Sequence, residues 1–385
     1  MDSAEVYLDH AASTPMRAGA REAWLASSMT HHANPTGAHN SARAARRALD
    51  DARDELASAV GRSPAELVFT SGGSEADNLA VRGVLRSRGG TAVCSAGEHH
   101  AVLEPVEHSG GFTAPLGADG RVDPDGLATV LGSVSDVSLV SLIAVNNETG
   151  AINDLPLLAE VAREHAPGAL LHTDAVQAMT WLDVASVVAD YDLVSITGHK
   201  LGGPVGTGCL FVRAGIDLDP LILGGGQERG RRAGTPDVGG ALAFAAAVTA
   251  VVSGRDTEIP RLRELRDRLV VGLAAVLGDR VVATTLRHGH ERVVAGIAHV
   301  CFPGIEAEAL LYLLDEEGIR ASAASSCSSG AQDPSHVLAA MGVPREVAQG
   351  SLRLSLGHSS TDHDIDAALS VIPAAVARLA AHRGG

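Results

Sequence analysis

Lys200 is the only lysine in this 385-residue chain, which takes every other strong cation from arginine. It stands in the stretch ITGHKLGG (196–203), just past an apolar run and among glycines, where a flexible surface cation has little use. A primary amine can form a Schiff base with an aldehyde, whereas a guanidinium stays protonated and is a poor nucleophile. A second reactive candidate is Cys327, set among small polar residues in ASAASSCSSGAQDPSH, and it reads as an exposed thiol. Cys94, Cys209 and Cys301 sit inside the apolar runs TAVCS, GCLFV and AHVCF and read as small core residues. The four cysteines form no C-x-x-C pair, and the spacing of His31, His32 and His39 matches no known site, so no metal centre is expected.

An aldehyde cofactor held by Lys200 asks for companions. Pyridoxal phosphate works as an electron sink while its ring nitrogen is protonated, so a carboxylate should face that nitrogen. LLHTDAVQ puts Asp174 at the end of an apolar strand, where an unpaired carboxylate is costly. Gln177, three residues on, can reach the ring hydroxyl. The phosphate needs backbone N–H groups at a helix start, and TSGGSEADNLAV supplies them through Gly72, Gly73 and Ser74.

The elements that must position these groups follow from pattern. Leu67–Thr70, Thr91–Ser95, Ser138–Val145, Ala169–Thr173, Leu193–Thr197 and Gly208–Val212 are short β-branched runs that alternate with helical stretches such as LPLLAEVAREHA. That alternation predicts a mostly parallel sheet covered on both faces. Near residue 255 the pattern changes: RLRELRDRLVVGLAAVLG reads as a long amphipathic helix, followed by strand, helix, strand and a last helix, a smaller α/β unit. A cleft between the two units is the expected place for chemistry.

Taken together, YLDHAASTP, NPTGAH, FTSGGSEADNLA, EHHAVLEP, NNETG, HTDAVQ, TGHKLGGPVGTG, GGGQERGRRAGTPD and SSCSSGAQDPSHVL resemble the motifs of cysteine desulfurases, in the class V aminotransferase group. The resemblance runs from about residue 6 to the last helix. The short Cys327 loop resembles the iron–sulfur-assembly and nitrogen-fixation type. It implies an α/β chain with the type I fold of pyridoxal-phosphate-dependent transferases, a large domain with a mostly parallel mixed sheet between helices plus a smaller α/β domain. The large, cofactor-binding domain is expected over 16–256. The small one is expected over 1–15 and 257–385 and carries the Cys327 loop.

By the same resemblance, Lys200 is the Schiff-base lysine, Asp174 the partner of the pyridinium nitrogen, and His99 the residue that stacks on the ring and moves protons. Asn147 and Gln177 serve the ring hydroxyl. Gly73, Ser74, Thr197 and His199 hold the phosphate, and Thr235 reaches the phosphate of a neighbouring subunit, which implies a homodimer. Arg353 grips the substrate carboxylate, helped by Asn34. The implied reaction turns L-cysteine into L-alanine and leaves a persulfide on Cys327 for an acceptor protein.

Ser13, Ser74 and Thr197 depart from the commonest family residues but keep a hydroxyl. Ala42 falls where Gly is frequent. His358 stands where the family often has Arg, a change that bears on the outer entrance rather than on Arg353. The rival activities are selenocysteine lyase and other class V aminotransferase or lyase chemistry. A non-catalytic sulfur-transfer scaffold would have no need of Lys200, Asp174, Cys327 and Arg353 together. The net charge of −16 argues against direct nucleic-acid binding. The acidic N-terminus is unlike a signal peptide, and no apolar run approaches bilayer length, so a cytoplasmic protein without a membrane partner is expected.

Overall fold

The computed structural model describes residues 5–284, 286, 289–323 and 335–383. Cys327 therefore lies outside the described residues. The strands are β1 (Val6–Tyr7), β2 (Leu67–Thr70), β3 (Thr91–Ser95), β4 (Phe112–Ala114), β5 (Val137–Ser141), β6 (Leu170–Asp174), β7 (Leu193–Thr197), β8 (Gly208–Val212), β9 (Val282–Ala283), β10 (Ile297–Cys301), β11 (Ile319–Arg320) and β12 (Ser351–Ser355). The helices are α1 (Ala18–Thr30), α2 (Asn40–Val60), α3 (Gly73–Arg88), α4 (His100–His108), α5 (Pro124–Ser133), α6 (Leu155–His165), α7 (Val184–Val187), α8 (Val238–Leu277), α9 (Ala307–Glu316), α10 (His336–Ala340), α11 (Arg345–Ala348) and α12 (Asp362–Arg383).

β2 to β8 form one seven-stranded sheet in the order β2-β8-β7-β6-β5-β3-β4. β8 alone runs antiparallel to its neighbours; the other adjacent pairs are parallel. Strand side chains alternate between two cores. Cys209 and Phe211 join the layer under α2, α6 and α8, while Leu210 and Val212 join the layer under α3 and α4. Cys94 and Cys209 are thus buried wall residues. The expected strand over 138–145 is shorter, because its ladder ends at Ser141, yet Leu142 N and Ala144 N still donate to the His172 and Asp174 carbonyls, each at 2.9 Å.

A second core gathers around the antiparallel sheet β12-β10-β9, the parallel pair β1-β11, α9 and α12. The amphipathic stretch after residue 255 is not a separate helix. It is the second half of the 40-residue α8. Val238–Val251 pack in the first core and Leu262–Leu277 in the second. Helix propagation costs little once a turn exists, so a polar change of face does not end the helix. By length and composition this helix could cross a bilayer, contrary to the expectation, but half of its most apolar window is buried inside the protein.

β2, β6 and β7 point their carboxyl ends the same way, and the loops beyond them meet. At that edge the backbone approach is close. A methyl at Gly208 would come within 2.7 Å of the Gly72 Cα and carbonyl carbon. Gly208→Ala should therefore lower stability by about 1–3 kcal/mol, read as a lower midpoint in urea unfolding.

Candidate active site

The carboxyl edge of the large sheet opens into a cavity of about 250 Å³. Ten of the residues singled out in the sequence line it: Gly72, Gly73, Ser74, His99, Asn147, Asp174, Gln177, Thr197, His199 and Lys200. It occupies the place where open α/β sheets bind ligands, outside the strand carboxyl ends. Among the described residues its wall comes from the large sheet and its loops, with Arg353 of the second core against Asn147 at its side.

Asp174 is the last residue of β6 and is buried. Its Oδ1 accepts from Val176 N at 2.8 Å. Burial raises its pKa well above the carboxylate range; the Val176 bond and the Lys200 charge only partly offset this. Lys200 comes three residues after the end of β7, and its Nζ donates to the carbonyls of Ala11 at 2.6 Å and Ala12 at 2.8 Å. The Ala11 carbonyl also accepts from Gln177 Nε2 at 2.8 Å. Thr14 N donates to His199 O at 2.9 Å and Thr14 Oγ1 to Lys200 O at 3.1 Å, so the segment after β1 fixes the lysine turn from below.

Thr197 has one hydroxyl proton, and it goes to the Thr207 carbonyl at 2.9 Å. His199 Nδ1, 3.1 Å from the same oxygen, is then the donor to it. His99 caps α4: its Nδ1 accepts from Ala101 N at 3.1 Å, which leaves the proton on Nε2. Burial lowers the pKa of both histidines to about 4, with the Lys200 charge adding to it.

The residues suit a pyridoxal phosphate on observations internal to the site. Gly72 has φ 151° and ψ −176°, a backbone open to glycine alone, and it turns the chain into the 16-residue α3. A Cβ at Gly73 would lie 2.9 Å from Val176 Cγ2, so no side chain fits between this turn and the site. The first N–H groups of α3 thus face the cavity unobstructed, as a phosphate requires. Opposite them lies a buried carboxyl with a raised pKa, the partner a ring N–H needs, and a primary amine lines the same wall.

Three expected residues stand elsewhere. Arg353, on β12, is buried beside the cavity: it donates from Nη1 to Asn147 O at 2.8 Å and from Nη2 to Asp9 Oδ1 at 2.9 Å, while Nε has no partner among the described residues. Asn34 is exposed, its Oδ1 taken by the N–H and hydroxyl of Thr36 at 3.1 and 2.9 Å, and it is not in the cavity wall. Thr235 is exposed in a neighbouring pocket of about 210 Å³ that shares only Ser71 and Gly206 with the cavity. His358, with His10, lines a small chamber of about 70 Å³ that also touches Lys200 and Gln177.

Several site residues went unnoticed in the sequence. Asp9, Ala11 and Ala12 belong to YLDHAASTP, and the Asp9 bridge to Ser355 of β12 brings this segment to Lys200 and Arg353. Glu148 is buried, hydrogen-bonded by Ser335, and burial raises its pKa to about 7. Asp77 and Glu98 are fully buried acids at the same place, both raised by burial. The one available signal was an acid inside an otherwise apolar helical face, as in EADNLAV.

His99, His172 and His199 have pKa values lowered from 6.5 to about 4, 3 and 4. A lowered histidine pKa contributes stability that is present above 6.5 and lost as pH falls toward the folded value. These three rings should thus withdraw stability from the ligand-free protein as pH falls from 6.5 to 4, against the opposite contribution of the buried acids with raised pKa. Histidine NMR should show these three rings unprotonated at pH 5.5, while a ring titrating near 6.5 would refute the burial argument for it.

The class V aminotransferase family model matches residues 6–368. An IscS-like cysteine desulfurase of Mycobacterium tuberculosis is 44% identical, covering 97% of this chain and 96% of its own. A solved NifS-like protein superposes with a TM-score of 0.89 at 31% identity, covering 97% of this chain and all of its own. The solved structure of SspA in complex with cysteine has a TM-score of 0.75 at 30% identity, covering 91% and 98%. A match of this extent leaves one conclusion: the chain belongs to the class V aminotransferase family, among its cysteine desulfurases.

Proposed function

We propose that this chain converts L-cysteine to L-alanine and passes the sulfur through a persulfide on Cys327 to an acceptor protein. The observation that carries the reading is the joint presence of Lys200 and Asp174 in one cavity walled by the Gly72–Ser74 turn. The complex of the related SspA with cysteine supports the substrate.

Pyridoxal phosphate, when bound, supplies an aldehyde for the substrate amine and a ring that withdraws electrons from Cα. The chain's residues do the rest. Lys200 Nζ tethers the cofactor in place of its Ala11 and Ala12 contacts, and once free it takes the Cα proton. The Asp174 carboxylate keeps a proton on the ring nitrogen. His99, neutral at working pH, covers the ring and exchanges a proton at Nε2. The α3 N-terminus and Ser74 hold the phosphate, and Thr197 and His199 join them by turning toward it the protons they give to Thr207 and Thr197. Arg353 takes the substrate carboxylate through its forked N–H groups, Nε among them.

The balance of the sulfur step is simple. The Cβ–S bond of L-cysteine breaks and a bond forms between its sulfur and Cys327 Sγ. The products are L-alanine and a Cys327 persulfide, with no external oxidant or reductant. Attack requires the thiolate, so Cys327 must shed its proton first. We read the working unit as a homodimer, in which Thr235 serves the phosphate of the second copy. The reading also takes the protein to act in a reducing compartment such as the cytoplasm, where a free thiol survives. The acidic net charge favours a protein acceptor over direct handling of nucleic acid.

Borohydride reduction of the loaded protein should leave a pyridoxyl group on Lys200, and Lys200→Ala should abolish both adduct and turnover. Cys327→Ser should keep the adduct but stop sulfur release; alanine and sulfide formed at the normal rate would rule out the nucleophile. Arg353→Ala should raise KM for L-cysteine about 10- to 100-fold, the loss of a charged hydrogen bond, with a smaller change in kcat.

A further inference from the structure

Beside Asp174 lies a second carboxyl that the reaction above leaves idle. Asp77 is on α3, one turn past Ser74, and lines the same cavity at 1% exposure. Its Oδ1 has no hydrogen-bond partner among the described residues, and His172 Nε2 stands 3.7 Å from it. Ser195 is near enough to the Asp77 side chain to act on its charge as a hydrogen-bond neighbour. Ser195 Oγ is 3.0 Å from His172 Nε2, and His172 Nδ1 is 2.8 Å from Ser141 Oγ. Asp77, Ser195, His172 and Ser141 thus form a buried row that begins at the cavity wall.

The charges around Asp77 decide its state. His172, on β6, is fully buried and neutral, with its pKa near 3, so it supplies no cation. Asp174, also on β6, and Glu98, before α4, are acids that repel a charge on Asp77. Lys200 acts on Asp174; His99 and His199 are neutral. Two ionised carboxylates sharing a buried site without a cation between them are strongly disfavoured.

We propose that Asp77 is a positioning residue for the cofactor ring: it keeps its proton, so that the negative charge of the pair stays on Asp174 alone. The proposal rests on the reading of the cavity as a pyridoxal phosphate site. Protonated Asp77 donates to Ser195 Oγ, Ser195 donates to His172 Nε2, and His172 Nδ1–H donates to Ser141 Oγ. An ionised Asp77 would turn Ser195 around and force the opposite tautomer on His172. The charge on Asp77 and the tautomer of His172 are therefore one variable. A neutral Asp77 leaves Asp174 the sole anion facing the ring nitrogen and removes a rival for its proton.

The test uses the full-length chain freed of cofactor. A carboxyl whose folded pKa is raised contributes stability at low pH that is lost as pH rises toward that value. Asp77→Asn has no such proton. As pH rises from 5 to 8 its unfolding constant should fall relative to wild type, by up to about tenfold per pH unit while folded Asp77 keeps its proton. A flat difference would mean that Asp77 is already ionised and would overturn the proposal. Should the variant not fold, carbon NMR of the wild-type chain labelled at aspartate decides. One protonated side-chain carboxyl at pH 7.5, with the His172 proton on Nδ1, is the expected result; all aspartates ionised would refute it. Both readouts need no cofactor, so they can fail while the pyridoxyl adduct on Lys200 still forms, and the adduct can fail while they succeed.

Discussion

The constraint on which the structure turns is a carboxylate at the dry end of a parallel strand. β6 runs between β5 and β7 and ends in Asp174, whose side chain is almost wholly buried at the cavity wall. Desolvation works against its charge, and the backbone N–H of Val176 offsets only part of that. Such a group is tolerable where something positive is to arrive. Lys200, on the loop past the adjacent strand, is one such group; a protonated ring nitrogen is the other. The remainder of the large sheet can be understood as a rigid frame that keeps these two strand ends and the α3 N-terminus at fixed mutual distance, since closely packed strands cannot shift independently.

The frame is incomplete without the second core. The segment between β1 and α1 leaves β12 through the Asp9 and Ser355 pairing and then supplies the carbonyls that hold Lys200 Nζ and Gln177. Arg353 is held between that segment and Asn147, so the substrate-facing fork and the cofactor wall share partners. β12 also pairs through Ser322, the last strand-like position before the segment that carries Cys327. One helix, α8, belongs to both cores and fixes their relation.

The local patterns were readable because they depend on nearest neighbours. Strand runs such as Leu193–Thr197 and Gly208–Val212 show β-branched and apolar residues bounded by glycine, and both fall where expected. The run over 138–145 ended early, because pairing with β3 and β6 stops at Ser141, and a ladder ends where its partners end, whatever the propensity. The stretch after 255 was rightly helical but lacked its first half, since Gly- and Ala-rich residues before it carry little amphipathic signal.

The sequence by itself determined the reactive inventory: one lysine, one carboxylate at a strand end, one glycine turn before a helix and one thiol among small polar residues. Each is a statement about residue type and local spacing, and spacing along a chain is preserved on folding. Only the tertiary structure decided which charges share a space. Asp77 and Asp174 are 97 positions apart, and nothing in either neighbourhood announces the other; their mutual effect arises because burial removes the solvent that would screen them. The same holds for Ala11 beneath Lys200 and for Asp9 beside Arg353. Electrostatics in a protein interior depends on distance and dielectric, and both come into being with the packed fold.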